Sequence, residues 1–185
     1  STLFPYTTLF RSSYINVLYV TLIRYHTVTP ASGLHVTSGT SATSGGTTYY
    51  KPGTTVTVAP TNQYHIVEGT GGIGSAAATI AADKRSFSFA MPAQDVSPTA
   101  TLTEVHTISS PNGLTVTASP YFTDNTTKYY KKGETYTLTV DDANKVIKPF
   151  SASGASGSSV AANKRSATVT IGSSDVTVSA TLMAL

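Results

Sequence analysis

Residues 47–58 read TTYYKPGTTVTV, and residues 127–138 read TKYYKKGETYTL. Sliding the chain by 80 positions superposes these phrases and their surroundings without a gap. His26-Thr27 meets His106-Thr107, Gly33-Leu34 meets Gly113-Leu114, and Asp95-Val96 meets Asp175-Val176. Of the 80 pairs between residues 21–100 and 101–180, 25 are identical. The chain is an internal duplication, so one fold must serve both copies.

Each copy reads as short strands. Polar and apolar residues alternate around Thr27, from Leu34, and along TTVTV after the turn Lys51-Pro52-Gly53. Further strands are expected at YHIV from Tyr64, around Ala78–Ala81, at SFSFA from Ser86, and after Asp95. SAAATIAADK (75–84) has helix-forming alanines, but its counterpart ASGSSVAANK (155–164) replaces several of them with glycine and serine. The comparison favours strand in both. Asp83-Lys84 and Asn163-Lys164 then become hairpin turns, with the Asp or Asn expected to take the positive φ. About seven strands in about 80 residues is the pattern of a small β-sandwich. The expected fold is therefore all-β: two tandem small β-sandwich domains. The expected layout is an N-terminal extension over 1–20, one domain over 21–102 and a second over 103–185. No Ser- or Pro-rich linker separates them, and a stiff tandem is expected.

Composition agrees. The 33 threonines and 23 serines form nearly a third of the 185 residues, while Asp, Glu, Lys and Arg reach only 11%, about half the usual share. Threonine favours strands. The net charge of +3 is scattered, whereas a nucleic-acid face needs a dense basic stripe. The absence of cysteine rules out disulfides and thiolate metal sites. The longest apolar run, Tyr14 to Ile23, is ten residues, against roughly 20 for a membrane-spanning helix. It lacks a signal-peptide cleavage pattern and reads as a strand.

The segments YYKPGTTVTVAPTNQYHI from Tyr49 and FSFAMPAQDVSPTATL from Phe87 resemble divergent internalin-type B-repeats of bacterial surface and secreted proteins. The second copy keeps YYKKGETYTLTV and SSDVTVSATL but carries Ile171-Gly172 where the first has Met91-Pro92. The resemblance covers roughly residues 24–182. It implies an extracellular, non-enzymatic module whose domains are immunoglobulin-like sandwiches, with a β-grasp-like repeat as the alternative.

Residues 1–20 lie outside both copies. STLFPYTTLFRS (1–12) resembles translated sequencing-adapter read-through, which would place the native start elsewhere. Next, YINVLYVTL ends at Leu22, where the repeat register expects the closing strand of a preceding copy. DVSPTATL ending at Leu102 and DVTVSATL ending at Leu182 are its counterparts. Such an orphan strand can fold back on its own chain or add to a sheet of another subunit. Repeated head to tail, the second route builds an open filament. The subunit-interface candidates are Tyr14, Ile15, Val17, Leu18, Tyr19, Val20 and Leu22.

No catalytic constellation is present. There is no GxSxG elbow, and GTGGIG (69–74) lacks the strand–helix context of a phosphate loop. His26 and His106 are repeat-equivalent and cannot share one ion within a chain; His35 and His65 have no histidine counterparts. Asp141-Asp142 and Asp124-Asn125 match no calcium loop. No cofactor or metal is expected. The binding candidates are Tyr49, Tyr50, Tyr129 and Tyr130; on a strand, one of each pair faces the core and one the surface. Asn125-Thr126-Thr127 is a glycosylation sequon. The expected function is that of an extracellular structural protein, a subunit of a head-to-tail filament joined by N-terminal strand donation. Its partners would be copies of itself, with glycans as further candidates. The alternative is a tandem binding module of a surface adhesin.

Overall fold

The computed structural model describes the backbone of residues 2–11 and 16–185, and side chains from residue 21 onward. Among the described residues there are strands and turns but no helix, so the all-β expectation holds. The β-grasp alternative would need a helix against its sheet. The chain divides into two compact units, Ser1–Leu102 and Thr103–Leu185.

The first unit contains β1 (Thr2–Arg11), β2 (Asn16–Thr27), β3 (Leu34–Ser38), β4 (Ser41–Ser44), β5 (Thr47–Tyr50), β6 (Thr55–Pro60), β7 (His65–Gly71), β8 (Ala78–Ile80) and β9 (Phe87–Ala90). β10 (Thr99–His106) closes it and contains the unit boundary. One antiparallel sheet has the order β3-β6-β9-β8. Opposite it, β5 lies between β4 and the end of β2, while β7 neighbours β10. A parallel bridge, Val28 to Val96, joins these two pieces.

The second unit repeats the plan with β11 (Ile108–Ser109), β12 (Leu114–Val116), β13 (Phe122–Asp124), β14 (Thr127–Lys131), β15 (Thr135–Val140), β16 (Lys145–Ser153), β17 (Ala155–Val160), β18 (Ser166–Ile171) and β19 (Val176–Ala184). Its first sheet is β12-β15-β18-β17. Its second is made of β16-β19-β11, with β11 parallel to β19, and of β13-β14 against Val105 and His106 of β10.

Period-two patterning supplies the cores. In β15, Tyr136, Leu138 and Val140 are buried, and in β18 Ala167, Val169 and Ile171 face them. Val56, Val58, Phe87 and Phe89 do the same in the first unit. The departure at Ile171-Gly172 does not change the plan. Met91 and Ile171 are both buried, and each exchanges backbone bonds with its glycine-led turn: Gly53 with Met91 (2.7 Å) and Gly133 with Ile171 (2.9 Å). Gly53 and Gly133 carry φ of 83° and 82°, the left-handed region in which glycine is unstrained.

The β8–β9 and β17–β18 hairpins differ in one respect from expectation. Lys84 and Lys164, not Asp83 and Asn163, have positive φ (53° and 56°). The Asp83 and Asn163 side chains instead accept the amides of Arg85 and Arg165, each at 2.9 Å, forming Asx turns that pass the left-handed conformation to the lysine. The Lys84 and Lys164 carbonyls then accept the amides of Val67 and Ile147. Arg85 donates to the carbonyls of Gln63 and His65, and Arg165 to those of Ala143 and Asp142. The repeated Lys-Arg pair is thus a structural tie.

Candidate functional site

Of the interface candidates, Tyr14 and Ile15 lie outside the described residues. Val17, Leu18, Tyr19 and Val20 belong to β2, whose backbone from Asn16 to Tyr25 pairs antiparallel with β1 from Arg11 to Thr2. The orphan strand therefore has a hairpin partner within its own chain. Leu22 is 57% exposed.

The tyrosine pairs split between faces. Tyr50 and Tyr130 are buried; Tyr49 and Tyr129 are half-buried. Tyr129 stacks on Phe122, with centroids 6.0 Å apart, and Lys131 lies 5.3 Å from the ring centre of Tyr121. Tyr130 meets Tyr136 edge-on at 4.7 Å. The Tyr136 hydroxyl accepts the Lys131 amide (3.0 Å) and donates to Glu134 (2.9 Å). Burial pushes this phenol up to about 12. Asn125 is exposed at the β13–β14 turn, with φ of 51°.

A repeated latch joins the end of β2 to the residues before β10 in the first unit, and the residue before β11 to the start of β19 in the second. In the first unit, Val96 donates its amide to the Thr27 carbonyl (3.0 Å), and the Thr27 amide donates to Asp95 Oδ1 (2.7 Å). Buried His26 lies beside that carboxylate, Nδ1 to Oδ1 3.6 Å. In the second unit the corresponding distances are 2.9 Å from Val176 to Thr107, 2.8 Å from Thr107 to Asp175 and 3.7 Å from His106 to Asp175. The aspartate oxygen stands where a ladder carbonyl would be. The bond to the Thr27 amide is the main cause holding the Asp95 carboxyl below its usual range.

The second latch has an addition. Glu104 reaches His106 Nε2 at 3.0 Å and the Lys132 ammonium at 2.8 Å. The Lys132 bond, with help from His106, lowers the Glu104 carboxyl. The first copy has Arg24 and Pro52 at the positions of Glu104 and Lys132. Because Glu104 and Asp175 address opposite ring nitrogens, they do not converge on one point. Among the described residues no group of three or more His, Cys, Asp or Glu is placed to hold a metal ion. Sequence reasoning missed the latch; the one signal that pointed toward it is that His26/His106 and Asp95/Asp175 are the only histidine and acidic pairs retained in both copies.

The second unit also carries an open cleft of about 330 Å³ that sequence reading did not anticipate. Its walls present the hydroxyl residues Thr107, Ser110, Thr115, Thr126 and Thr127, with Lys128 among them. Tyr130 also lines the cleft, which adjoins the turn bearing Asn125.

Among the described residues no helix is long and apolar enough to cross a membrane. No family model, curated protein or solved structure matches the chain.

Proposed function

We propose that this chain is a structural segment of an extracellular protein, joined head to tail with copies of itself by strand donation from β2. The observation that carries the reading is the place of β2 in the duplicated register. Residues 16–24 stand where each unit's closing strand stands in the 80-residue register. Their hairpin partner is β1, paired with them from Arg11 to Leu3. Without that partner, an apolar strand would offer unpaired ladder groups to another sheet.

A recipient edge supports the same reading. β17 is the outer strand of its sheet, and its sequence ASGSSV contains neither charge nor proline, the usual guards of such edges. The long edge strand β16, in contrast, is guarded by Lys145, Lys148, Pro149 and a bulge between Ile147 and Phe150. The resemblance to B-repeats and the hydroxyl-rich, charge-poor surface fit an extracellular setting, with Asn125 exposed as a glycan acceptor.

The test compares the full chain with forms lacking residues 1–12 and 1–20, by sedimentation and negative-stain electron microscopy. Fibres from the 13–185 form, with monomers from the 21–185 form, are the expected outcome. Monomers from both sink strand donation. Replacing Ser158 by lysine should also stop assembly, by guarding the recipient edge. The hydroxyl-lined cleft favours a second reading, a tandem binding module of a surface adhesin.

A further inference from the structure

We infer that the cleft of the second unit binds an acidic monosaccharide, a pyranose bearing a carboxylate such as a uronic acid. The inference rests on the binding-module reading and is independent of fibre formation.

The first argument is chemical. Ligand pockets run from about 300 to 1,000 Å³ and are mostly apolar. At about 330 Å³ this cleft sits at the small end, with room for a single ring. Its lining is dominated by hydroxyl residues, each able to donate and to accept. Such a wall suits a polyol and repays little to an apolar ligand. Ile108 and Val116 add a small aliphatic surface for the C–H face of a sugar ring.

The second argument is electrostatic. Lys131 is ion-paired with Glu134, and Lys132 with Glu104. Lys128, at the cleft, has no ion-pair partner among the described residues. An ammonium held beside several hydroxyls, with no carboxylate of its own, complements a ligand that brings one.

The third argument comes from the duplication. The first copy keeps Thr27, Val36, Thr47 and Tyr50 at the positions of Thr107, Val116, Thr127 and Tyr130. Where the copies differ most, the second carries Ser110 for Pro30, Thr115 for His35, Thr126 for Gly46 and Lys128 for Thr48. Three of these changes bring a hydroxyl and the fourth brings the cation. The shared scaffold accommodates both sets, so back-exchange to the first copy's residues tests the cleft without threatening the fold.

The experiment is an amide NMR titration of the full chain with methyl β-glucuronide and, separately, methyl β-glucoside. A glycan array of acidic and neutral sugars is run in parallel. We expect saturable shifts at Thr107, Thr115 and Thr126 with the glucuronide and at least tenfold weaker binding of the glucoside. Lys128→Thr should weaken the glucuronide at least tenfold while leaving the melting temperature unchanged. Equal binding of both glycosides, or unaltered binding by Lys128→Thr, overturns the acidic-sugar assignment and leaves the module reading standing. Shifts confined to other residues overturn the cleft as the site. No binding of either glycoside and no retention on the array overturns both.

Discussion

Asp175→Ala is the most informative single change, because it removes a side chain that acts as part of the backbone ladder. It deletes the 2.8 Å bond to the Thr107 amide and the carboxylate beside the fully buried His106. A hydrogen bond to a charged group contributes about 1.5–3 kcal/mol. The Asp175 side chain is 50% exposed, so water recovers part of the loss, and about 1–2 kcal/mol is the expected cost. For a unit of this size each kcal/mol lowers Tm by about 4–8 °C. The assay is urea and thermal unfolding followed by circular dichroism, paired with hydrogen exchange at Thr107. Asp175→Asn keeps an acceptor oxygen and should lose about half as much. Asp95→Ala, at the matching bond to Thr27, should act on the first unit and add to Asp175→Ala within about 0.5 kcal/mol. A change below about 0.3 kcal/mol, with Thr107 exchange unaltered, refutes the latch.

Acidification should weaken the fold. Asp95 and Glu104 are held below the ordinary carboxylate range when folded. The unfolded chain therefore takes up protons first as pH falls, and the stabilisation complete at neutrality is lost progressively as pH falls below about 5. Asp95→Asn with Glu104→Gln should flatten that part of a Tm–pH profile. Tyr136→Phe should cost about 1–2 kcal/mol by stranding the Lys131 amide. In an ultraviolet titration it should also remove a phenol ionising at about 12. Leu138→Ala empties a fully buried site in β15 and should cost about 2–5 kcal/mol by chemical denaturation.

The periodic features were legible from residues alone. Alternation along TTVTV became β6, and the adjacent tyrosines separated into buried Tyr50 and half-buried Tyr49, because a strand turns successive side chains to opposite faces. The comparison of copies correctly overruled alanine propensity at 75–84, where Ala78–Ile80 pair with β9. Long-range polar geometry was less visible. That Asp95 bonds Thr27, 68 residues away, follows from which strands lie parallel, and no local pattern encodes it. The turn at Asp83-Lys84 was found, but the left-handed residue was misassigned, since the Asx hydrogen bond fixes the residue after it. The cleft needs side chains from the segment at 107–116 and from the β13–β14 turn to meet, which spacing does not reveal.

The parallel contact between β11 and β19 has a mechanical meaning. β11 follows directly on the β10 residues that open the second unit and β19 closes it, so tension between β11 and β19 slides these neighbours along each other. Their bonds are then loaded together in shear rather than peeled one after another. Asp175 lies in that load path, bonded to the residue just before β11. A single carboxylate thus helps set the force at which the unit yields.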